Sequence, residues 1–199
     1  GVRVATTRTT SDTVNAPGTG KLKGFEAEFN LAPVTGLTLS ASYAYNSVKI
    51  PATLNPFPQP GNVFITVPIP IYQVYTPENT ASASIDYELP LKDFTIRAHV
   101  DGNFNDGFYG NYSDPEFDPV TRAVRYAQPK GEKALIFNGR IAFADIDIGA
   151  SDAKLTVAVW ARNLFNQEHL FYKGGAPRSG VQGFFNEPRT FGVEAKIKM

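Results

Sequence analysis

Chemistry in this chain would have to come from few side chains. There are two histidines, His99 and His169. His99 lies in Arg97-Ala98-His99-Val100-Asp101, two residues from a cation and two from a carboxylate. A His–Asp pair at that spacing on a strand can hold one ring tautomer, as in a hydrolytic triad. No nucleophile-elbow glycine pattern accompanies it, so His99 reads as a structural histidine. Asp114-Pro115-Glu116-Phe117-Asp118 sets carboxylates two apart, the spacing used by calcium loops. The glycine of such a loop is missing, and the twelfth position counted from Asp114 is Arg125, not Glu. A solvated loop is the better reading. Gly18-Thr19-Gly20-Lys21 shares letters with a phosphate loop. It lacks the earlier glycine, the hydroxyl residue after Lys and a following helix. Asn111-Tyr112-Ser113 has the letters of a glycosylation triplet, which matters only in a eukaryotic secretory chain. No catalytic residue, metal ligand or cofactor is expected, and the expectation is that the protein is not an enzyme.

Composition narrows the classes further. Absent cysteine excludes a disulfide scaffold, a thiolate nucleophile and Cys-ligated zinc or iron–sulfur sites. The 199 residues balance 19 Lys plus Arg against 19 Asp plus Glu, for a net charge of zero. A neutral chain is a poor nucleic-acid partner, because neutralising phosphates needs a basic surface. Charged residues make up 19%, below the roughly 25% of soluble domains, while 15 Phe and 9 Tyr bring aromatics to 13%. The 17 Gly and 15 Pro imply many turns. No run of about 18 apolar residues and no secretory signal is present. The chain opens at Gly1-Val2-Arg3 inside an apparent strand, so the expectation is part of a longer chain.

The elements that would position these residues are strands. In Leu37-Thr38-Leu39-Ser40-Ala41-Ser42-Tyr43-Ala44-Tyr45-Asn46, Leu37, Leu39, Ala41, Tyr43 and Tyr45 alternate with the polar set. Residues 79–89 and 94–108 repeat the pattern, and weaker versions cover 2–10, 21–32, 134–143, 154–163 and 190–198. That predicts about eight antiparallel strands of roughly ten residues each. Glu26, Glu28, Asp86, Glu88, Arg97, Asp101, Arg140, Arg162, Glu194, Lys196 and Lys198 share the polar faces. A soluble sandwich would bury the apolar faces against each other, whereas a membrane barrel would turn them to lipid. Globular strands average about 5–6 residues, while roughly ten tilted residues span the apolar band of an outer membrane. The connections alternate in length. Residues 32–36 and 90–93 are short and 145–153 is moderate, while 49–78, 110–133 and 164–189 are long. Only the connection 11–20 breaks the alternation. Short turns at one end and long loops at the other are the pattern of an outer-membrane barrel. Tyr43, Tyr45, Tyr87, Phe94, Phe108, Tyr109 and Phe143 near strand ends fit interfacial girdles.

Several segments resemble, in order, those of the TonB-dependent outer-membrane receptor family. Leu155 to Asn166, with Trp160, Asn163, Leu164 and Phe165, resembles that family's penultimate strand and its Asn-Leu-Phe ending. Asn186-Glu187-Pro188-Arg189-Thr190-Phe191-Gly192-Val193 resembles the opening of its last strand, with Asn186 in place of glycine. Lys23-Gly24-Phe25-Glu26, Gly36-Leu37-Thr38-Leu39 and Pro77-Glu78-Asn79-Thr80 resemble upstream strand starts. Gly24 and Gly36 allow tight backbone near strand ends, Asn163 can bond nearby backbone, and Pro188 at a strand start forfeits no ladder donor. Family chains commonly end in an aromatic residue, whereas this one ends in Met199.

The resemblance implies that residues 1–199 are the C-terminal portion of a barrel of about 22 strands, of which roughly the last eight are present. It implies a bacterial outer membrane, a receptor that imports a scarce large solute (a ferric siderophore, cobalamin or a glycan), and lipid contact. The plug domain, the remaining strands and the TonB-contacting segment would come from missing N-terminal parts. Solute contacts are expected from the long loops, at Tyr109, Tyr112, Tyr172, Arg178 and Phe184, with Phe57 and Phe64 as further loop aromatics. Two alternatives stand beside this expectation. One is a stand-alone eight-stranded outer-membrane barrel with a structural or adhesive role, and the other is a soluble sandwich binding module.

Overall fold

Period-two alternation can satisfy both the backbone and the side chains only in an extended sheet, and that is what forms. The computed structural model describes residues 15, 17–54, 64, 66–113, 116–117, 124–126, 130–149, 152–176 and 180–199. The expected strand over 2–10, most of the connection 11–20, Phe57 and Arg178 lie outside these residues.

The strands are β1 (Lys21–Val34), β2 (Leu37–Lys49), β3 (Asn79–Pro90), β4 (Thr95–Asn105), β5 (Glu116–Phe117), β6 (Val124–Tyr126), β7 (Ala134–Asp147), β8 (Lys154–Arg162), β9 (Leu170–Ala176), β10 (Gly180–Phe185) and β11 (Thr190–Lys198). Seven of them form one antiparallel sheet in the order β1-β2-β3-β4-β7-β8-β11. All seven coincide with strands expected from alternation. β9 pairs with β10 and β5 with β6 as separate hairpins. The sheet is an open meander, since β11 pairs with β8 and β1 with β2, and β1 and β11 do not meet.

The register keeps like with like across every strand. Phe29 faces Ala41, Ala41 faces Ala83, Ile85 faces Val100, Ile141 faces Val159 and Val159 faces Val193 on one side. On the other side Ser42 faces Ser82, Asp86 faces His99, His99 faces Arg140 and Ala158 faces Glu194. A slip of one residue would exchange the two faces, so the alternation itself sets the register.

Burial is inverted relative to a water-soluble protein. The apolar face is open, with Ile85 52%, Val193 75% and Phe191 80% exposed. The buried residues include Ala142, Ala144, Ala158 and Thr95, all on the polar face. A contiguous apolar surface of this extent needs an apolar partner. Among the described residues no second sheet covers it, as a sandwich would require.

The short turns are built tightly. Gly36 sits at φ +81°, and an added Cβ would run into the carbonyl oxygen of Glu88, whose N–H donates to Gly36 O at 2.7 Å. Leu91 N–H donates to Phe94 O at 2.9 Å. Between β7 and β8 the register shifts at Asp145, at φ 61°, which ends the alternation two residues short of the strand end. The moderate connection expected from 145 therefore begins only after Asp147.

Two further expectations are corrected. β4 stops at Asn105, so Phe108 and Tyr109 leave the sheet and belong to the loop rather than to a strand-end girdle. The stretches 110–133 and 164–189 are not plain loops, because each carries a hairpin.

Candidate functional site

The polar face concentrates the ionisable groups. His99 has Asp86 Oδ1 2.7 Å from Nδ1 and Asp101 Oδ1 3.3 Å from Nε2. The closer partner is thus the cross-strand Asp86, not the Asp101 that the spacing suggested. Asp101 Oδ2 also accepts from Asn103 at 2.7 Å and Asn138 at 2.8 Å. Arg97 bridges Glu88 at 3.3 Å and Asp145 at 2.8 Å, and Arg140 reaches Glu194 at 3.2 Å. These groups sit on four strands, and the Ser84 hydroxyl joins them by donating to Asp86 Oδ2 at 3.5 Å, so its partner is the carboxylate rather than the imidazole. Each pair is half-exposed and worth about 0–1 kcal/mol, so together they shape the face rather than stabilise the fold. Beside them lies a trough of about 340 Å³ with a floor of Ser40, Ser42, Ser82 and Ser84, flanked by Glu28 and Asp101. No cluster of three or more metal-ligating side chains occurs among the described residues. Of the acidic run, Glu116 and Phe117 form β5, and Asp114 and Asp118 lie outside the described residues. No helix follows Gly18-Thr19-Gly20-Lys21, since Lys21 opens β1.

The aromatic side chains expected to bind solute gather at the long-loop end. Tyr72 and Tyr109 stack at 4.2 Å with an 11° interplanar angle. Phe184 packs on Tyr172 at 5.5 Å, Tyr172 on Tyr75 at 6.4 Å, and Tyr75 on Phe108 at 5.7 Å. Backbone bonds lace the same loops: Tyr72 N–H to Tyr112 O at 2.7 Å and Tyr75 N–H to Tyr109 O at 3.0 Å. Gly110 is required here, because a Cβ would stand 2.5 Å from the Tyr172 ring. Tyr109, Tyr172 and Phe184 thus share one rim, and Tyr112 stands beside it, 67% exposed. Phe64, also expected to contact solute, is exposed. Beneath the Tyr72–Tyr109 stack is a cleft of about 220 Å³ bordered by Asn46, Lys49, Gln73 and Lys130.

Two carboxylates tie this rim to the sheet. Asp106 accepts from Glu78 N–H at 3.1 Å and Asn79 Nδ2 at 2.8 Å, and faces Lys130 at 3.6 Å. Burial pushes its carboxyl up, but the Asn79 bonds and the Lys130 charge outweigh that and hold it below the usual range. Glu132 accepts from Leu170 N–H at 3.0 Å and faces Lys173 at 3.5 Å, and both draw its carboxyl below the usual range. Nearby, His169 Nε2 is buried with no hydrogen-bond partner among the described residues.

The motif residues of β8 and β11 build the hinge of the β9–β10 hairpin. Asn163 is 3% exposed at φ 49°, a left-handed conformation that Asn tolerates. Its Oδ1 accepts from Gln167 N–H at 2.8 Å, and its Nδ2 donates to Gln167 O at 2.8 Å and Glu187 O at 3.0 Å. Asn186 repeats the device from the other side, accepting from His169 N–H at 2.6 Å and donating to Gln167 O and Glu187 O. Asn166 Oδ1 accepts from Arg189 N–H at 3.1 Å, just past Pro188. Leu164 N–H donates to Phe137 O at 2.7 Å, and Phe165 packs edge-on against Phe137 at 5.4 Å. Asn186 had no assigned role in the sequence, where it was only a replaced glycine. A cap-forming Asn beside Glu-Pro was the signal that could have found it. Trp160 lies on the polar face against Gly192, where a Cβ would stand 2.6 Å from the ring, and Arg162 sits 5.8 Å from its centroid. Gly24 plays the same part in β1, a Cβ there standing 2.5 Å from the carbonyl oxygen of Tyr45.

Comparison with known proteins adds three findings. The family described as "TonB dependent receptor-like, beta-barrel" matches residues 2–164. Among solved structures, the crystal structure of BauA, the ferric preacinetobactin receptor from Acinetobacter baumannii, superposes with a TM-score of 0.53 at 13% identity. The match covers 89% of this chain and 22% of that one, so the chain spans about a fifth of the length of that receptor. No curated protein matches.

Proposed function

The chain belongs to the TonB dependent receptor-like β-barrel family, and we propose that it serves as part of the wall and outer rim of a bacterial outer-membrane receptor importing a scarce large solute. The family is one of receptors and transporters, not enzymes. The observation that carries this reading is the two-faced open sheet, apolar on one side and charged on the other, with long structured loops at one end only.

In this reading residues 1–199 form the C-terminal portion of a larger barrel. The apolar face meets lipid acyl chains and the polar face lines the lumen. Among the described residues β1 and β11 are each paired on one side only, and strand edges call for partners. Further strands of the same receptor fill that role. The serine-floored trough and the carboxylates of β1 offer a polar surface to a plug domain, which would link solute binding to the TonB complex. The aromatic rim faces outward. Tyr112 and the 63% exposed Phe184 contact solute directly, while the Tyr72–Tyr109 stack walls the cleft below. Tyr172 backs Phe184, and Arg178, which lies between β9 and β10 in sequence, is a further candidate contact. A ferric siderophore, cobalamin and a glycan are the solute classes to test, the ferric complex first because the solved relative is a ferric preacinetobactin receptor.

The test is uptake of labelled members of each class by wild-type cells, a strain lacking this protein, and a strain lacking TonB. Energised uptake of one class, lost in both mutants, is expected. Uptake that persists in full without TonB would contradict the reading.

A further inference from the structure

The two strands of the rim hairpin differ in what lies along their outer edges. β9 is covered. Glu132 N–H donates to Leu170 O at 2.9 Å, and Leu170 N–H donates to Glu132 Oε2 at 3.0 Å. Gly131 closes on the carbonyl oxygen of Phe171, and Gly110 on that of Lys173, where a Cβ would stand 2.9 Å away. The extra residue of the hairpin, Phe171, also falls in β9, because Phe184 faces Tyr172 while Phe185 faces Leu170. Coverage and a bulge both blunt a strand edge against further pairing. β10 has neither. It pairs with β9 alone, and Gly180-Val181-Gln182-Gly183-Phe184-Phe185 carries no charge and no proline.

Register fixes which groups of β10 are left over. Directly opposite residues of an antiparallel pair turn their N–H and C=O groups either toward each other or away from each other. Leu170 gives both groups to Glu132, so its partner Phe185 turns both away from β9. Lys173, whose carbonyl oxygen faces Gly110, requires the same of its partner Gly183. Alternation then adds Val181. In the opposite phase, Asn186 N–H donates back across the hairpin to His169 O at 3.1 Å. Among the described residues nothing bonds to the outward groups of Val181, Gly183 and Phe185. They stand in a row, with roughly 7 Å between successive members.

A row of donors and acceptors at this repeat is the complement of another strand. Acyl chains carry no donors, and sugar hydroxyls lack the repeat. From this edge, and resting on the outer-membrane reading for the side it faces, we infer that β10 binds an extended peptide by strand addition. The ligand becomes the third strand of the hairpin. Its backbone pairs with Val181, Gly183 and Phe185, and its side chains set specificity. One of its residues stands beside the exposed Phe184, on the face that continues through Tyr172 to Tyr75. Aromatic and β-branched residues pair best there. The ligand is therefore an uncharged, proline-free extended peptide with such a residue at that place, a class distinct from the solutes named above.

The test uses the full receptor, extracted from outer membranes in nonionic detergent. The probe is a capped hexapeptide of alternating Val and Thr, N-methylated at every second residue, which leaves it one pairing edge and prevents it from stacking on itself. Amide hydrogen exchange is read residue by residue. Saturating probe should slow exchange at Val181, Gly183 and Phe185 by roughly tenfold and leave Gln182 and Phe184, already paired with β9, unchanged. The same peptide N-methylated at every residue should protect nothing. Val181→Pro removes an outward donor and no ladder bond, so it should raise the probe concentration for half protection of Gly183 about fivefold. Unchanged exchange at Gln182 and Phe184 shows that the hairpin persists in that variant. Equal protection by the two peptides overturns the inference. Slow exchange at all three positions before probe is added does so too, because the receptor's own chain then covers the edge. Protection that follows receptor rather than probe concentration also overturns it, in favour of a second copy. A receptor in the outer membrane that the probe does not protect overturns this inference alone. A protein that fractionates away from the outer membrane overturns the reading on which it rests.

Discussion

Asn163 shows how much one side chain can organise. Its amide closes three hydrogen bonds to the backbone of Gln167 and Glu187 from a buried, left-handed position. Asn163→Ala removes all three and places an ordinary residue at positive φ. The expected loss is about 2–4 kcal/mol, combining unsatisfied backbone groups with the left-handed penalty. Asn163→Gly should recover only the backbone share. Faster amide exchange at His169 and Leu170 in both variants checks this, and exchange unchanged in either would contradict it. Asp106 supports a prediction in pH. Its carboxyl is held low in the folded protein, so the folded state binds fewer protons than the unfolded one. Its stabilising effect is therefore full above the ordinary carboxylate range, near pH 4, and is lost as pH falls through the lower folded value. The Glu78 amide, which donates to Asp106, should lose exchange protection across that acid window. In Asp106→Asn the protection at neutral pH should be lower and its acid dependence gone.

At the scale of elements, the β9–β10 hairpin carries the rim. It brings Tyr172 and Phe184 to Tyr75 and Phe108 across the mouth of the sheet. Phe184→Ala or Tyr172→Ala should weaken solute binding by roughly two- to tenfold, the worth of one aromatic contact, and leave the heat-induced unfolding of the sheet unchanged. Solute titration beside gel-shift melting reads both. The seven sheet strands were legible because alternation is itself the physical requirement of a two-faced sheet, as in Leu37 to Asn46. The hairpin was not. Lys173-Gly174-Gly175-Ala176 and Gly180-Val181-Gln182-Gly183 have no alternating apolar face, so nothing local marks them as strands. Their pairing depends on distant contacts, such as Gly183 closing on Leu170 and Gly110 on Tyr172. The end of β4 was misplaced for a related reason. Phe108 and Tyr109 continue the aromatic character of the strand, but Asp106 and Gly107, the latter at φ +83°, turn the chain first. The rim itself was legible only as a list of loop aromatics. Which of them would meet depended on the hairpin.

The whole molecule is a sheet turned inside out, with its exposed side apolar and its buried residues small and on the charged side. Such a surface has no stable place in water. The isolated 199-residue chain should precipitate from denaturant into plain buffer and stay dispersed in detergent, a difference that light scattering measures. A monodisperse chain in plain buffer would contradict the membrane account. The most direct test of that account concerns which end of the sheet faces outward, and these 199 residues hold no cysteine to compete with an introduced one. Gln182→Cys, in the β9–β10 hairpin, and Lys92→Cys, in the β3–β4 turn, are each exposed in intact cells to a membrane-impermeant maleimide. Labelling at position 182 in intact cells, with position 92 labelled only after the outer membrane is permeabilised, is the predicted result. Labelling at position 92 in intact cells, or at neither position until the cells are broken open, would contradict it.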